Sequence, residues 1–234
     1  MNPASLASPP RSPQAEISPP TPEELTRLLL HVDGTDPELA CFLRVSAFTG
    51  ARRSQVCGLK WSDIDFEHRG VTFLRGVVDG PDGIVVKDTK THRAYAVAIG
   101  DPLVDVLRSH RTEMLKRAML CGIGLPLDAF VFSFAADCST PWRPDYVTHQ
   151  FSRSRRQVKL TSVRLHDLRH FMATELLAAG LPITTVAGRL GHARPATTLN
   201  VYGHFIRPSD RAAADMMTGI LRQRAVDPGA AAAS

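Results

Sequence analysis

The chain predicts an α+β fold that is mainly α-helical, with one small three-stranded antiparallel sheet inserted between two helical stretches. Three observations carry this. Proline-and-acid helix starts precede apolar residues at helical spacing near the beginning of the chain, the period changes to two across residues 71–99, and helical patterning returns after residue 144 and persists.

The elements follow in order. Residues 1–20 are rich in Pro, Ser and Ala with almost nothing to bury, which predicts a disordered lead. Thr21-Pro22-Glu23-Glu24 supplies a capping hydroxyl, a first-turn proline and a reciprocal carboxylate ahead of Leu25, Leu28, Leu29 and Leu30. Asp36-Pro37-Glu38 repeats the signal before an apolar run from Leu39 to Phe48, and Gly50 terminates it. Val71–Leu74, Ile84–Val86 and Tyr95–Ile99 are short β-branched or aromatic runs separated by Gly, Asp and Pro, and they predict the three strands. Asp101-Pro102 opens a third helix through Leu103, Val104, Leu107 and Met114. Beyond an irregular connection from Gly122 to Pro144, helices are expected over Pro144–Gln157, His166–Ala179, Pro182–Leu190, Pro195–Tyr202 and Ser209–Arg224, and residues 226–234 read as a flexible tail.

Composition narrows the function. The 234 residues are 44% apolar and 22% charged, enough to bury a substantial core. No apolar run approaches the roughly 18 residues of a spanning helix, and the N-terminus lacks the basic and apolar regions of a secretory signal, so the expected compartment is the cytosol with no membrane partner. The four cysteines are widely spaced, which argues against a disulfide framework or a zinc finger, and three of them read as buried packing residues. The net charge of +5 is regional: residues 143–211 hold 11 basic and 4 acidic side chains, whereas residues 1–142 hold 15 and 17. A basic region of that density suits a polyphosphate partner or forms a solvated face. There is no internal repeat, no phosphate loop and no dinucleotide fingerprint.

Four islands carry residues fit for chemistry. They are Thr49-Gly50-Ala51-Arg52-Arg53, the turn Asp88-Thr89-Lys90-Thr91, His166-Asp167-Leu168-Arg169-His170, and the stretch from Leu190-Gly191-His192 through Thr197-Thr198 to Tyr202-Gly203-His204. Each has an ordinary alternative. Arg52 can neutralise the carbonyl end of a helix, Lys90 can be a solvated turn charge, and Tyr202 can be an amphipathic surface aromatic. His166 and His170, four apart, resemble half a zinc site, but Asp167 replaces the glutamate of a metalloprotease helix and no third ligand is spaced for it.

Taken together they suit attack on a phosphodiester. Planar guanidiniums such as Arg52 and Arg169 can each donate two parallel hydrogen bonds to the non-bridging oxygens where charge develops. A phenol of pKa about 10 needs a base or nearby cations to become a nucleophile at neutral pH, and His166 with those cations can serve. The departing sugar oxygen needs a proton, which Lys90 on its turn can deliver.

In order and spacing the islands resemble the catalytic domain of the tyrosine recombinases, the phage integrase family, over about residues 21–225. The resemblance implies that family's catalytic-domain fold. It also implies Arg52 and Arg169 as phosphate-binding arginines, Lys90 as the turn lysine, His166 as the partner of Arg169, His192 in the second histidine position and Tyr202 as nucleophile. The implied activity is site-specific recombination or integration of double-stranded DNA through a 3′-phosphotyrosyl link, with neither ATP nor a metal or other cofactor. Type IB topoisomerase-like relaxation, and a truncated relative that binds DNA or recombinase partners without cleaving, are the rival readings. Arg53, Lys87, Arg93, Arg153, Arg155, Arg156 and Lys159 are candidate DNA contacts or, alternatively, solvated surface. Ala212, Met216, Ile220 and Leu221 form an apolar stripe that packs on its own core or, as in related recombinases, joins protomers into a ring, here a homotetramer on DNA. Gln55 stands where the family usually has an acidic residue, and the turn after Lys90 is abbreviated. The family's usual N-terminal DNA-gripping domain is expected to be absent, with the polar lead in its place.

Overall fold

The computed structural model describes residues 19–80, 83–88, 94–205 and 215–219. The lead up to residue 18, Lys90, Arg93, the final helix apart from residues 215–219, and the tail lie outside the described residues.

Helix α1 (Pro22–Thr35) starts on the predicted capping box: the Thr21 hydroxyl accepts from the Glu24 N–H at 3.2 Å, and the Glu24 carboxylate accepts from the Thr21 N–H at 2.9 Å. Its buried stripe is Leu25, Leu28 and Val32, each contributing about 1.5–3 kcal/mol through removal of apolar surface from water. Asp36 serves two helices. Its N–H closes α1 on the Val32 carbonyl at 2.7 Å, and its carboxylate caps α2 (Pro37–Thr49) through the Leu39 N–H at 3.0 Å. Most of α2 is buried, and it packs against α1, α4, α5 and α6 (defined below) as the central helix of the domain. Gly50 ends it with φ +68°, a left-handed conformation that a side chain would strain.

A five-residue helix, α3 (Arg53–Cys57), follows and was not predicted. The β region also departs from the expectation. The three-stranded antiparallel sheet consists of β1 (Ile64–Asp65), β2 (Gly70–Phe73) and β5 (Tyr95–Ala98) in that order, with Val71 opposite Val97. The 84–86 segment belongs elsewhere: among the described residues β4 (Gly83–Asp88) pairs only with β3 (Arg75–Gly80), as a separate two-stranded ribbon with Val77 opposite Val86. The ribbon is tied to the domain by Arg75, whose guanidinium donates to the buried Asp63 carboxylate at 2.5 and 3.3 Å.

Helices α4 (Asp101–Leu120), α5 (Pro144–Gln157), α6 (Asp167–Ala178), α7 (Ile183–Arg189) and α8 (Pro195–Tyr202) complete the order, with a 3-10 turn at Gly203–Phe205. The interior has two parts. A main apolar cluster runs from α1 through the sheet to α5 and the start of α6, and includes Trp61, Phe42, Phe132 and Trp142. A smaller cluster of Met172, Ala173, Leu177, Val186, Leu190 and Tyr202 holds α6, α7 and α8 together. As the sequence predicts, three cysteines, Cys41, Cys57 and Cys138, are buried, while Cys121 is exposed. Among the described residues no helix is long and apolar enough to cross a membrane.

Candidate active site

The site lies where α2, α3, α6 and α7 converge. Arg169, in the first turn of α6, is the centre of the arrangement and only 4% exposed. Its guanidinium donates to the Gly50 carbonyl at 2.5 Å and the Leu190 carbonyl at 2.7 Å, so it closes the C-terminal ends of both α2 and α7. The same guanidinium lies 2.9 Å from His192 Nε2, and His192 Nδ1 lies 2.8 Å from the Thr198 hydroxyl. Burial, reinforced by Arg52, lowers the Arg169 pKa to about 10, which leaves it charged at neutral pH. Burial, with Arg169 and then Arg52, lowers that of His192 to about 4. The neutral imidazole therefore accepts at Nε2 from Arg169 and donates from Nδ1 to Thr198.

Arg52 occupies the extended residue before α3, just past the Gly50 turn, with its side chain exposed. Its backbone N–H donates to the Gln55 side-chain oxygen at 3.1 Å, and the Tyr95 hydroxyl donates to that same oxygen at 3.0 Å. Gln55 thus supplies an acceptor to the first turn of α3 and to β5 without bringing a negative charge. Burial pushes the Tyr95 phenol pKa up, against the opposing pull of Arg169 and Arg52, which lie close enough to act on it. The Tyr95 ring rests on Gly191, where an added Cβ would come within 2.6 Å of it.

His166 stands at the N-cap of α6 with an exposed edge, and burial followed by Arg169 lowers its pKa. The following Asp167 is buried and fixes the helix start by accepting from the Arg164 N–H at 2.7 Å and its guanidinium at 3.1 Å. The His166 ring meets His170 edge-on, centroids 4.9 Å apart.

Tyr202 ends α8 and is 2% exposed. Its hydroxyl is 2.7 Å from His170 Nδ1. Burial raises its pKa and Arg169 opposes that shift. The sequence reading set His166 beside this phenol, but the hydrogen bond is made by His170, one helical turn further along α6. Burial and then His166 lower the His170 pKa to about 4. The structure therefore brings together Arg169, His192 and, through His170, Tyr202 and His166. Lys90 lies outside the described residues. A cleft of about 400 Å3 opens beside this group, lined by Ala51, Arg53, Thr148, Arg164, His166 and Arg169 among others.

The candidate DNA contacts divide. Arg53 reaches the cleft, donates to the Thr148 hydroxyl and stands 3.5 Å from Asp145. Lys87 on β4, Arg153 and Lys159 are exposed. Arg156 is exposed with its Nε donating to the Ser152 carbonyl at 2.9 Å. Arg155 is spent internally, donating to the Thr161 carbonyl at 2.6 Å and to that of Val163. Arg93 lies outside the described residues. Sequence reasoning missed Tyr95, gave Thr198 no role within its island, and weighed His170 only as a metal ligand. The available signal was its helical spacing, four residues after His166 and adjacent to Arg169.

The fold is that of tyrosine recombinase catalytic domains. It matches the catalytic domain of bacteriophage HP1 integrase with a TM-score of 0.59 at 24% identity, covering 86% of this chain and 95% of that one. It matches the Tn1549 transposon integrase, solved in complex with transposon right end DNA, with a TM-score of 0.69 at 20% identity, covering 93% of this chain and 70% of that one. The chain belongs to the phage integrase family, whose profile matches residues 21–206. It is 28% identical over 207 residues to the ICEBs1 integrase of Bacillus subtilis (strain 168), which covers 86% of this chain and 54% of the relative. With the tyrosine recombinase XerC of Halalkalibacterium halodurans the identity is 30% over 191 residues, 78% of this chain and 56% of the relative. The chain spans about half the length of these curated relatives.

Proposed function

We propose that the chain cleaves and rejoins double-stranded DNA in site-specific recombination or integration, with Tyr202 as nucleophile. The observation that carries the reading is the junction centred on Arg169: a charged, fixed guanidinium beside a cleft, with a neutral imidazole on it and a buried phenol behind it, in a chain of the phage integrase family. In this reading Arg169 and the exposed Arg52 bind the scissile phosphate. Preorganised donors of this kind are worth about 3–4 kcal/mol each in the transition state. His166, at the cleft wall, adds a further donor to the phosphate, and His192, accepting from Arg169, orients that guanidinium.

The step balances without an external energy source. The Tyr202 oxygen bonds to phosphorus as its proton passes to the neutral imidazole of His166, the bond to the sugar 5′ oxygen breaks, and Lys90 protonates that oxygen. The 3′-phosphotyrosyl link conserves the bond energy, and attack by a 5′-hydroxyl reverses the step. Residues 21–225 form the catalytic unit. Arg53, Lys87, Arg93, Arg153, Arg156 and Lys159 contact the DNA backbone, and the C-terminal stretch joins protomers into a homotetramer. The exposed Met216 and Met217 on the helical residues 215–219 support that last point.

The test uses suicide duplexes, nicked in the cleaved strand and tiled across the DNA flanking the gene. A covalent protein–DNA adduct is expected, and Tyr202→Phe abolishes it. An adduct that persists in Tyr202→Phe removes this residue from its role.

A further inference from the structure

The Tyr202 hydroxyl is not free for attack: the residue is buried and its hydroxyl is engaged by His170. The cleft is walled by Arg53, Thr148, Arg164, His166 and Arg169. The phenol turns into the small apolar cluster between α6, α7 and α8, where its ring packs with Met172, Ala173, Leu177, Val186 and Leu190. Among the described residues its hydroxyl has one hydrogen-bond partner, His170 Nδ1 at 2.7 Å, and both residues are buried, at 2% and 9% exposure. A phenol in an apolar cluster needs a partner for its hydroxyl, so this hydrogen bond is what allows the ring to be stored inside.

We propose that His170 is a positioning residue that latches the Tyr202 hydroxyl in a buried resting site, so that DNA cleavage begins with release of this hydrogen bond. The inference rests on Tyr202 being the nucleophile. His170 is suited to the task because its own place is fixed. It lies one turn from His166 on α6, its ring is held edge-on by the His166 ring, and its carbonyl accepts from the Thr174 hydroxyl at 3.0 Å. Its low pKa keeps the imidazole neutral, so Nδ1 accepts a hydrogen bond from the phenol O–H through the neutral pH range. Opening the latch moves α8 relative to α6, because the Tyr202 ring is also part of what packs these two helices together. The free protein is therefore kept from premature attack, and DNA binding has to supply the exchange.

The test compares wild type with His170→Phe and His170→Leu, which remove the acceptor but keep an apolar side chain, and with His170→Asn, whose amide oxygen takes the place of Nδ1. Nitration by tetranitromethane, mapped by mass spectrometry, reads the exposure of Tyr202. The half-buried Tyr95 and Tyr146, the only other tyrosines, act as internal references. Tyr202 is expected to react slowly in wild type and in His170→Asn. In the acceptor-free variants it should react about fivefold to tenfold faster, the shift that loss of one buried hydrogen bond brings. Single-turnover cleavage of a suicide duplex at saturating DNA should accelerate by a similar factor in those variants, with the DNA dissociation constant unchanged and wild-type kinetics restored by His170→Asn.

Continued protection of Tyr202 in a folded acceptor-free variant overturns the latch, as does an unchanged cleavage rate. Slower cleavage with Tyr202 accessible also overturns it, by assigning His170 to the chemical step. If wild type forms no adduct on any duplex, the recombinase reading fails and takes the gating of cleavage with it, and nitration then reads only whether His170 holds Tyr202 inside. Should neither apolar variant fold, fluorine NMR of wild type carrying 3-fluorotyrosine decides it: the Tyr202 resonance shifts on saturation with a duplex that the protein cleaves, and a resonance that stays in place overturns the proposal.

Discussion

Arg169 does two jobs, and removing it separates them. In the sequence the two arginines proposed to hold phosphate look equivalent, but only Arg169 is built into the fold, as the donor that closes the carbonyl ends of α2 and α7. Arg169→Met preserves most of the aliphatic stem and strips two buried carbonyls of their partner. A buried acceptor left unsatisfied costs about 1–3 kcal/mol, and a cation lost from a helix C-terminus costs about 0.3–1 kcal/mol per end. Because the cleft lets water reach part of this junction, we expect the low end of the sum, about 3 kcal/mol. With an m-value of roughly 2–3 kcal/mol/M, the urea midpoint falls by about 1–1.5 M, followed by far-ultraviolet circular dichroism. Arg169→Lys retains the charge and one donor direction and should lose about half as much. Arg52→Met, at an exposed position, should stay within about 0.5 kcal/mol of wild type. Equal destabilisation by Arg169→Met and Arg52→Met, or a change below about 0.5 kcal/mol for Arg169→Met, refutes the structural half of the argument.

Two further outcomes follow from the same junction. Gly50 and Gly191 both have positive φ, +68° and +62°, so alanine costs about 1–2 kcal/mol at either from backbone strain. The added Cβ meets the flexible tip of Met172 at position 50 but the Tyr95 ring at position 191, so Gly191→Ala should lower the melting temperature more; the reverse order would contradict the packing described. His170 and His192 titrate near 4 in the folded protein and near about 6.5 when unfolded, so between those values the unfolded chain binds more protons. Stability should therefore fall as pH drops from about 6.5 toward 4, and His192→Gln should reduce that slope in urea titrations; an unaltered slope counts against the buried neutral imidazole.

Local chemistry made much of the fold legible. The bounds of α5 (Pro144–Gln157) and α8 (Pro195–Tyr202) can be read directly because proline opens each helix. Helix α3 is hidden because it is five residues long and its N-cap is Arg52, with no Ser, Thr, Asn or Asp to announce it. Strand β3 is hidden because Gly76, Asp79 and Gly80 read as loop, and its pairing with β4 rather than β2 is a non-local choice that no strand pattern specifies. The site divides in the same way. Arg52, His166, Arg169, His192 and Tyr202 stand out by type and order, and belonging to the phage integrase family fits that pattern. His170, 32 residues from Tyr202, becomes its partner only when α8 folds back on α6, and Gln55 finds Tyr95 only across the sheet edge.

The division of the interior into two clusters bears on how the molecule can be watched. Both tryptophans, Trp61 and Trp142, belong to the main cluster, with Trp142 stacked on Phe42 and Phe134, while the α6–α8 cluster contains none. Intrinsic indole emission therefore follows the collapse or melting of the larger body and is blind to rearrangement around Tyr202. A flat fluorescence trace during DNA addition is no sign of a rigid protein, and an optical reporter of that region has to be introduced there.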